Sequence, residues 1–150
     1  MSLNKKELFY KSLDLVNRQV TKYQNIRDGI NEFNSENNLH PDFDEYGNKG
    51  EMMNSYEQNL GHLNNAQKMK ELLANLDLDH RSEIIRSGSL VETSDAYYFI
   101  SVPLGEIEME GGTKVFAISP EAPIFRAMEG KKAGENFTFN GKEIRIVDVR

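Results

Sequence analysis

The feature that most constrains this chain is a change of period. From about residue 5 to 36, Phe9, Leu13, Val16, Val20, Tyr23, Ile26, Ile30 and Phe33 recur three and four residues apart. That spacing lays one apolar stripe along a long helix. Gly29 weakens such a helix by roughly 1 kcal/mol relative to Ala without ending it. The pattern stops over residues 34–50, which are rich in Asn, Asp and Gly with one Pro, and this stretch reads as a connection. A second stripe follows in Met53, Tyr56, Leu60, Leu63, Ala66, Met69, Leu73 and Leu76. Two amphipathic helices joined by a polar connection predict an antiparallel hairpin. At 30 residues such a helix is ~45 Å long, so its tip stands far from the rest of the chain.

After Asp79 the period is that of strands. Residues 89–93, 97–102 and 115–118 are β-rich, and 137–139 and 143–149 flank Asn140-Gly141, a strong two-residue hairpin signal. Ile144, Ile146 and Val149 alternate with Arg145 and Asp148, mostly in the manner of a half-buried strand. Gly111-Gly112 marks another turn. Residues 123–129 predict one short helix, with Pro123 at the first helical position and Gly130 where a left-handed cap is wanted. Ile124, Ala127 and Met128 form its apolar face, suited to covering a small sheet. The expected fold is α+β: a helical hairpin over 1–78 with an acidic tip around 40–51, then a compact antiparallel sheet domain over 79–150.

Composition narrows the function classes. With no cysteine among 150 residues, disulfides, thiolate zinc sites and cysteine nucleophiles are excluded. The net charge is −6, and each side of Leu78 carries nine basic and twelve acidic residues. Neither half is a basic module that coats nucleic acid by neutralising phosphates. No apolar run approaches the ~20 residues of a membrane span. The first residues, MSLNKKELFYKSL, have no apolar core of a secretory signal, so a cytoplasmic protein is expected. There is no phosphate-binding loop, dinucleotide fingerprint or nucleophile motif. His40, His62 and His80 form no i, i+4 pair and read as surface or helix-end histidines rather than metal ligands. Tyr97, Tyr98 and Phe99 read as sheet core, since no basic groove accompanies them as a base-stacking platform would require.

Residues 118–134, ISPEAPIFRAMEGKKAG, carry a specific resemblance. Together with the order of parts, they resemble the Gre family of bacterial transcript cleavage factors. That family's C-terminal pattern is close to Ile-Ser-x-x-Ser-Pro-Ile/Leu-Ala-x-Ala-Leu-Ile/Leu-Gly-Lys. Here Ile118, Ser119, Pro123, Ile124, Ala127, Gly130 and Lys131 match, whereas Ala122 replaces the Ser, and Phe125 and Glu129 also depart. The resemblance implies an FKBP-like C-terminal domain that docks at the secondary channel of RNA polymerase. Ser119, Pro120, Ala122, Pro123, Ile124, Arg126 and Lys131 would then face the partner. Lys131 and Lys132 also suit plain solvated charge. The hairpin would reach down the channel to the active centre, touching nascent RNA and DNA only within the elongation complex.

A protein working at the end of a rod must carry its chemistry at the tip. Asp42, Asp44 and Glu45 lie there. Carboxylates suit a magnesium-assisted hydrolysis: a hard cation takes oxygen ligands, and in two-metal phosphodiester cleavage the second ion must be held so that it activates water. By the resemblance, Asp44 with Glu45 would hold Mg2+ jointly with the polymerase, with Asp42 as a further carboxylate. The isolated chain would bind no ion stably. The family's tip reads Asp-Leu-Ser-Glu-Asn-Ala-Glu-Tyr. An ungapped register back from Glu57-Gln58 puts Asp44 on the Asp, but Gly47 and Gly50 on the two glutamates. An acidic tip is also what a solvated turn has for its own reasons.

The function expected is therefore an accessory factor, not itself an enzyme, acting on stalled or backtracked polymerase. It either stimulates the polymerase's own RNA cleavage or occupies the channel without cleaving. An FKBP-like prolyl isomerase is a different class and needs Tyr97, Tyr98, Phe99, Phe116 and Phe125 to line one cavity. A coiled-coil adaptor is a third, and needs an exposed apolar seam.

Overall fold

The structure, a computed structural model, describes residues 3–37, 48–80 and 82–150, with side chains described outside 33–37 and 48–52. Two long helices come first, α1 (Lys5–Asn37) and α2 (Asn48–Ala74). Six strands follow: β1 (Leu90–Thr93), β2 (Tyr97–Ile100), β3 (Gly105–Glu108), β4 (Lys114–Ile118), β5 (Asn136–Phe139) and β6 (Lys142–Val149). The short helix α3 (Pro123–Met128) lies between β4 and β5. The fold is α+β, a helical hairpin followed by one mostly antiparallel sheet. The chain forms two compact units, one of Asp14–Lys70 and one of Met1–Leu13 with Glu71–Arg150. The expected division at 78/79 follows the order of elements. The compact units instead assign the ends of the helices to the sheet.

In the helical unit, Val16 and Val20 of α1 and Leu63 and Ala66 of α2 are buried. Tyr23 stacks on His62 with ring centroids 5.2 Å apart, and Asn59 reaches the Tyr23 carbonyl. Residues 59 and 62 of α2 thus meet residue 23 of α1 across the hairpin. The buried line departs from the predicted stripe. Asn59 rather than Leu60 is buried, while Ile26 and Met53 are exposed. Nearer the start of α1, in the other unit, Leu8 and Ser12 are buried in place of Phe9 and Leu13. Ser12 is accommodated because its hydroxyl donates to the Leu8 carbonyl at 2.8 Å, one turn back.

The sheet has the order β3-β4-β2-β1-β6-β5. All pairs are antiparallel except β2 with β4, which are parallel. The expected all-antiparallel sheet is corrected on that one pair. The cause is β3, a strand with no clear signal in Gly-Glu-Ile-Glu. It takes the edge, and β4 folds back between it and β2. Glu106 and Glu108 give β3 the charged character of a blunted edge strand, with only Ile107 buried.

Side chains alternate between the two faces of a sheet, and both faces are apolar here. Val91, Tyr98, Ile100, Ile144, Ile146 and Phe137 share one core with Ile85, Phe125 and Met128. Leu90, Phe99, Ile107, Val115 and Ala117 have the opposite parity by strand register and are also buried. The ends of the long helices lie with this unit. Lys5 Nζ donates to the Arg150 carbonyl at 3.2 Å, Lys11 Nζ to the Glu108 carbonyl, and Leu8 and Leu73 are fully buried. The register of β6 against β1 shifts between Glu92 and Thr93, so Val147 is an extra, exposed residue. That bulge puts Ile146 and Val149 on one face despite their odd spacing. Asn140 and Gly141 both have positive φ, 52° and 77°, as a two-residue type I′ turn requires.

Candidate functional site

The segment from Ile118 to Gly134 is built around α3. Ser101 N–H donates to the Ile118 carbonyl at 2.8 Å, fixing the end of β4. Ser119 then turns the chain: its hydroxyl accepts from Glu121 N–H at 3.2 Å and its carbonyl from Ala122 N–H at 3.0 Å. Ala122 is the N-cap with extended backbone and no side-chain cap bond, and Pro123 opens the helix. Phe125 and Met128 bury in the core, with Ile124, Ala127 and Ala122 packed at its margin. The observed apolar face adds Phe125 to the predicted Ile124, Ala127 and Met128, and Phe125 is one of the positions that departs from the family pattern. The Glu129 N–H closes the helix on the Phe125 carbonyl at 2.7 Å, and Gly130 exits at φ +77°.

The seven residues expected to face a partner divide by exposure. Pro120, Pro123 and Arg126 are exposed, while Ser119, Ala122, Ile124 and Lys131 are half-buried. Lys131 is held by its backbone. Its N–H donates to the Met128 carbonyl at 3.1 Å, and its carbonyl accepts from Ile85 N–H at 2.8 Å. An isolated bridge pairs Ile84 with Lys132 alongside. The exit of α3 is thus tied to the stretch that leads into β1, a connection with no mark in the sequence.

Asp42, Asp44 and Glu45 lie outside the described residues, as does His40. Among the described residues no group of three or more His, Asp and Glu side chains is placed to hold a metal ion. The five aromatics that a prolyl isomerase would need do not line one cavity. Tyr98 and Phe116 share a face, with centroids 5.9 Å apart, whereas Phe99 is fully buried with the opposite parity and Phe125 fills the core.

A cleft of about 930 Å³ opens beside the start of α1, lined among others by Lys5, Asp79, His80, Glu83 and Arg150. Its walls carry both signs of charge. Burial lowers the pKa of Lys5, against the pull of Asp77, with Arg86 lowering it further. His80 Nδ1 accepts from Ser82 N–H at 3.3 Å, and its buried Nε2 has no partner among the described residues. Nothing in the spacing of His80 singles it out. Asn59 did carry a signal, as a polar residue one turn before Leu63 on the apolar line of α2.

No family profile and no curated protein sequence matches the chain. Among the described residues no helix is long and apolar enough to cross a membrane. Solved structures with a likeness to the chain include Gfh1 of Thermus aquaticus, 18% identical with a TM-score of 0.35 over 93% of this chain and 94% of that one. Another is the GreA factor homolog 1 protein of Thermus thermophilus, 15% identical with a TM-score of 0.34 over 93% and 94%. A likeness at this level establishes nothing about the activity of this chain.

Proposed function

We propose that the chain is an accessory transcription factor that binds bacterial RNA polymerase at its secondary channel through residues 118–131. In this reading the tip of the hairpin acts on the active centre of stalled or backtracked complexes. The observation that supports it is the segment around α3. Matching residues Ser119, Pro123, Ile124, Gly130 and Lys131 make a turn, a helix and a left-handed exit, and leave Pro120, Pro123 and Arg126 exposed.

At the active centre, Asp44 with Glu45 or Asp42 would help the polymerase hold the second Mg2+ of phosphodiester hydrolysis. The ion would activate water there, and the polymerase would supply the remaining ligands and the RNA. A second reading has a specific observation in its favour. Gly47 and Gly50 stand where the resemblance places two glutamates, and one carboxylate holds magnesium less well than several. The chain would then occupy the channel without promoting cleavage.

The test uses purified bacterial RNA polymerase on a backtracked template, with RNA shortening and binding measured in parallel. Shortening that needs the protein, disappears in Asp44→Ala and leaves binding intact supports the first reading. Binding without shortening supports the second, and no binding overturns both.

A further inference from the structure

We infer that Asn59 is a positioning residue that fixes the register of α2 against α1. The inference goes beyond the function proposed above and stands whether or not the chain binds RNA polymerase.

Asn59 is 6% exposed and occupies an apolar place on α2, one turn before the buried Leu63. Its amide Nδ2 donates to the Tyr23 carbonyl at 2.9 Å, across the hairpin. Tyr23 lies inside α1, so that oxygen faces a helical N–H with one lone pair and has the other for Asn59. The Tyr23 ring stacks on His62, with an interplanar angle of 23°, and the Lys22 ammonium lies 5.4 Å from the ring centroid. Residues 59 and 62, one turn apart on α2, therefore grip a single residue of α1 by its backbone and its ring.

Within Asp14–Lys70 the rest of the buried line discriminates poorly. Val16, Val20, Leu63 and Ala66 are buried aliphatic groups, which can trade places when α2 slides by one turn. Such a slide keeps apolar against apolar. It strands the Asn59 amide, because a buried donor without its acceptor loses its water and gains nothing in return. One buried Asn in an apolar helix interface selects a register in this way, at some cost in stability.

The chain has no cysteine, so two introduced cysteines carry spin labels without background. Asn25→Cys and Lys68→Cys are exposed positions offset along the hairpin, and their separation responds to sliding. The pair with Asn59 intact should give one narrow distance. With Asn59→Leu a second population should appear, displaced by about 5 Å, one helical pitch. Its melting temperature should be unchanged or higher, and Asn59→Gln should return the single distance. If Asn59→Leu fails to fold by circular dichroism, Asn59→Ala takes its place. One unshifted narrow distance in the folded variant overturns the proposal, and so does a fall in melting temperature with no second population.

Discussion

Gly88 and Asp77 meet backbone to backbone. Gly88 has φ +90°, and a Cβ built on it would stand 2.9 Å from the Asp77 carbonyl oxygen and 3.2 Å from His80 Nε2. The left-handed conformation alone costs a residue with a side chain roughly 1–2 kcal/mol. Here the carbonyl oxygen cannot swing away as a side chain would. Gly130 is the control, with φ +77° and no described residue within 4 Å of the added Cβ. Gly130→Ala should lose about 1–2 kcal/mol in urea unfolding. Gly88→Ala should lose clearly more, about 3 kcal/mol, with the same denaturant slope. Equal losses would refute the close approach.

His80 should make stability depend on pH. Burial holds its imidazole below the usual histidine range, and Lys5 and Arg86 add to that, against the Gly88 backbone and Asp77. Its Nδ1 accepts from Ser82 N–H, which a protonated ring cannot do. The folded pKa is lowered, so on acidification the unfolded chain takes up the proton first. The contribution is complete above about pH 6.5, the unperturbed value. It is lost as pH falls from there through the lower folded pKa. His80→Gln should therefore melt with a shallower dependence on pH between 7 and 5. Identical slopes for the two proteins would show that His80 is not the titrating group.

Ala122 leaves the start of α3 without a side-chain cap. Its extended backbone, φ −64° and ψ 138°, is that of an N-cap residue. A serine hydroxyl there can accept from a free N–H of the first turn, and a Ser or Thr cap is worth about 0.5–2 kcal/mol over Ala. Ala122→Ser should raise the melting temperature by a few degrees. No rise would mean that the exposed amides of α3 are already satisfied by water.

Where a signal is local, the chain declared itself. Pro123 and Gly130 bounded α3 because one has no N–H to lose and the other accepts positive φ. Asn140-Gly141 announced the hairpin, and the odd spacing of Ile146 and Val149 already contained the bulge at Val147. Position β3 was invisible because an edge strand needs only one buried side chain, and Ile107 alone makes no alternation. The parallel pairing of β2 with β4 followed from β3 and was hidden with it. The buried line at the start of α1 was misplaced by one residue because Ser12 satisfies its hydroxyl on its own helix, and spacing alone cannot price that bond. Asp42, Asp44 and Glu45 lie outside the described residues, so their proposed role rests on the sequence alone.

The tip yields the sharpest functional prediction. If the register that places Gly47 and Gly50 on two glutamates is right, the chain is short of carboxylate where magnesium must be held. Gly50→Glu would supply one, and Gly50 falls within α2, where replacing Gly also favours the helix by about 1 kcal/mol. Adding an oxygen ligand should lower the magnesium concentration at which RNA in a backtracked complex is cleaved. A gain on the order of tenfold at limiting Mg2+ corresponds to about 1.4 kcal/mol of transition-state stabilisation, the scale of one well-placed charge. Combining Gly50→Glu with Asp44→Ala should abolish the gain, because one ligand would replace another rather than join it. An unchanged magnesium dependence with binding intact would place the carboxylates away from the ion, and leave the chain as a factor that fills the channel without cutting.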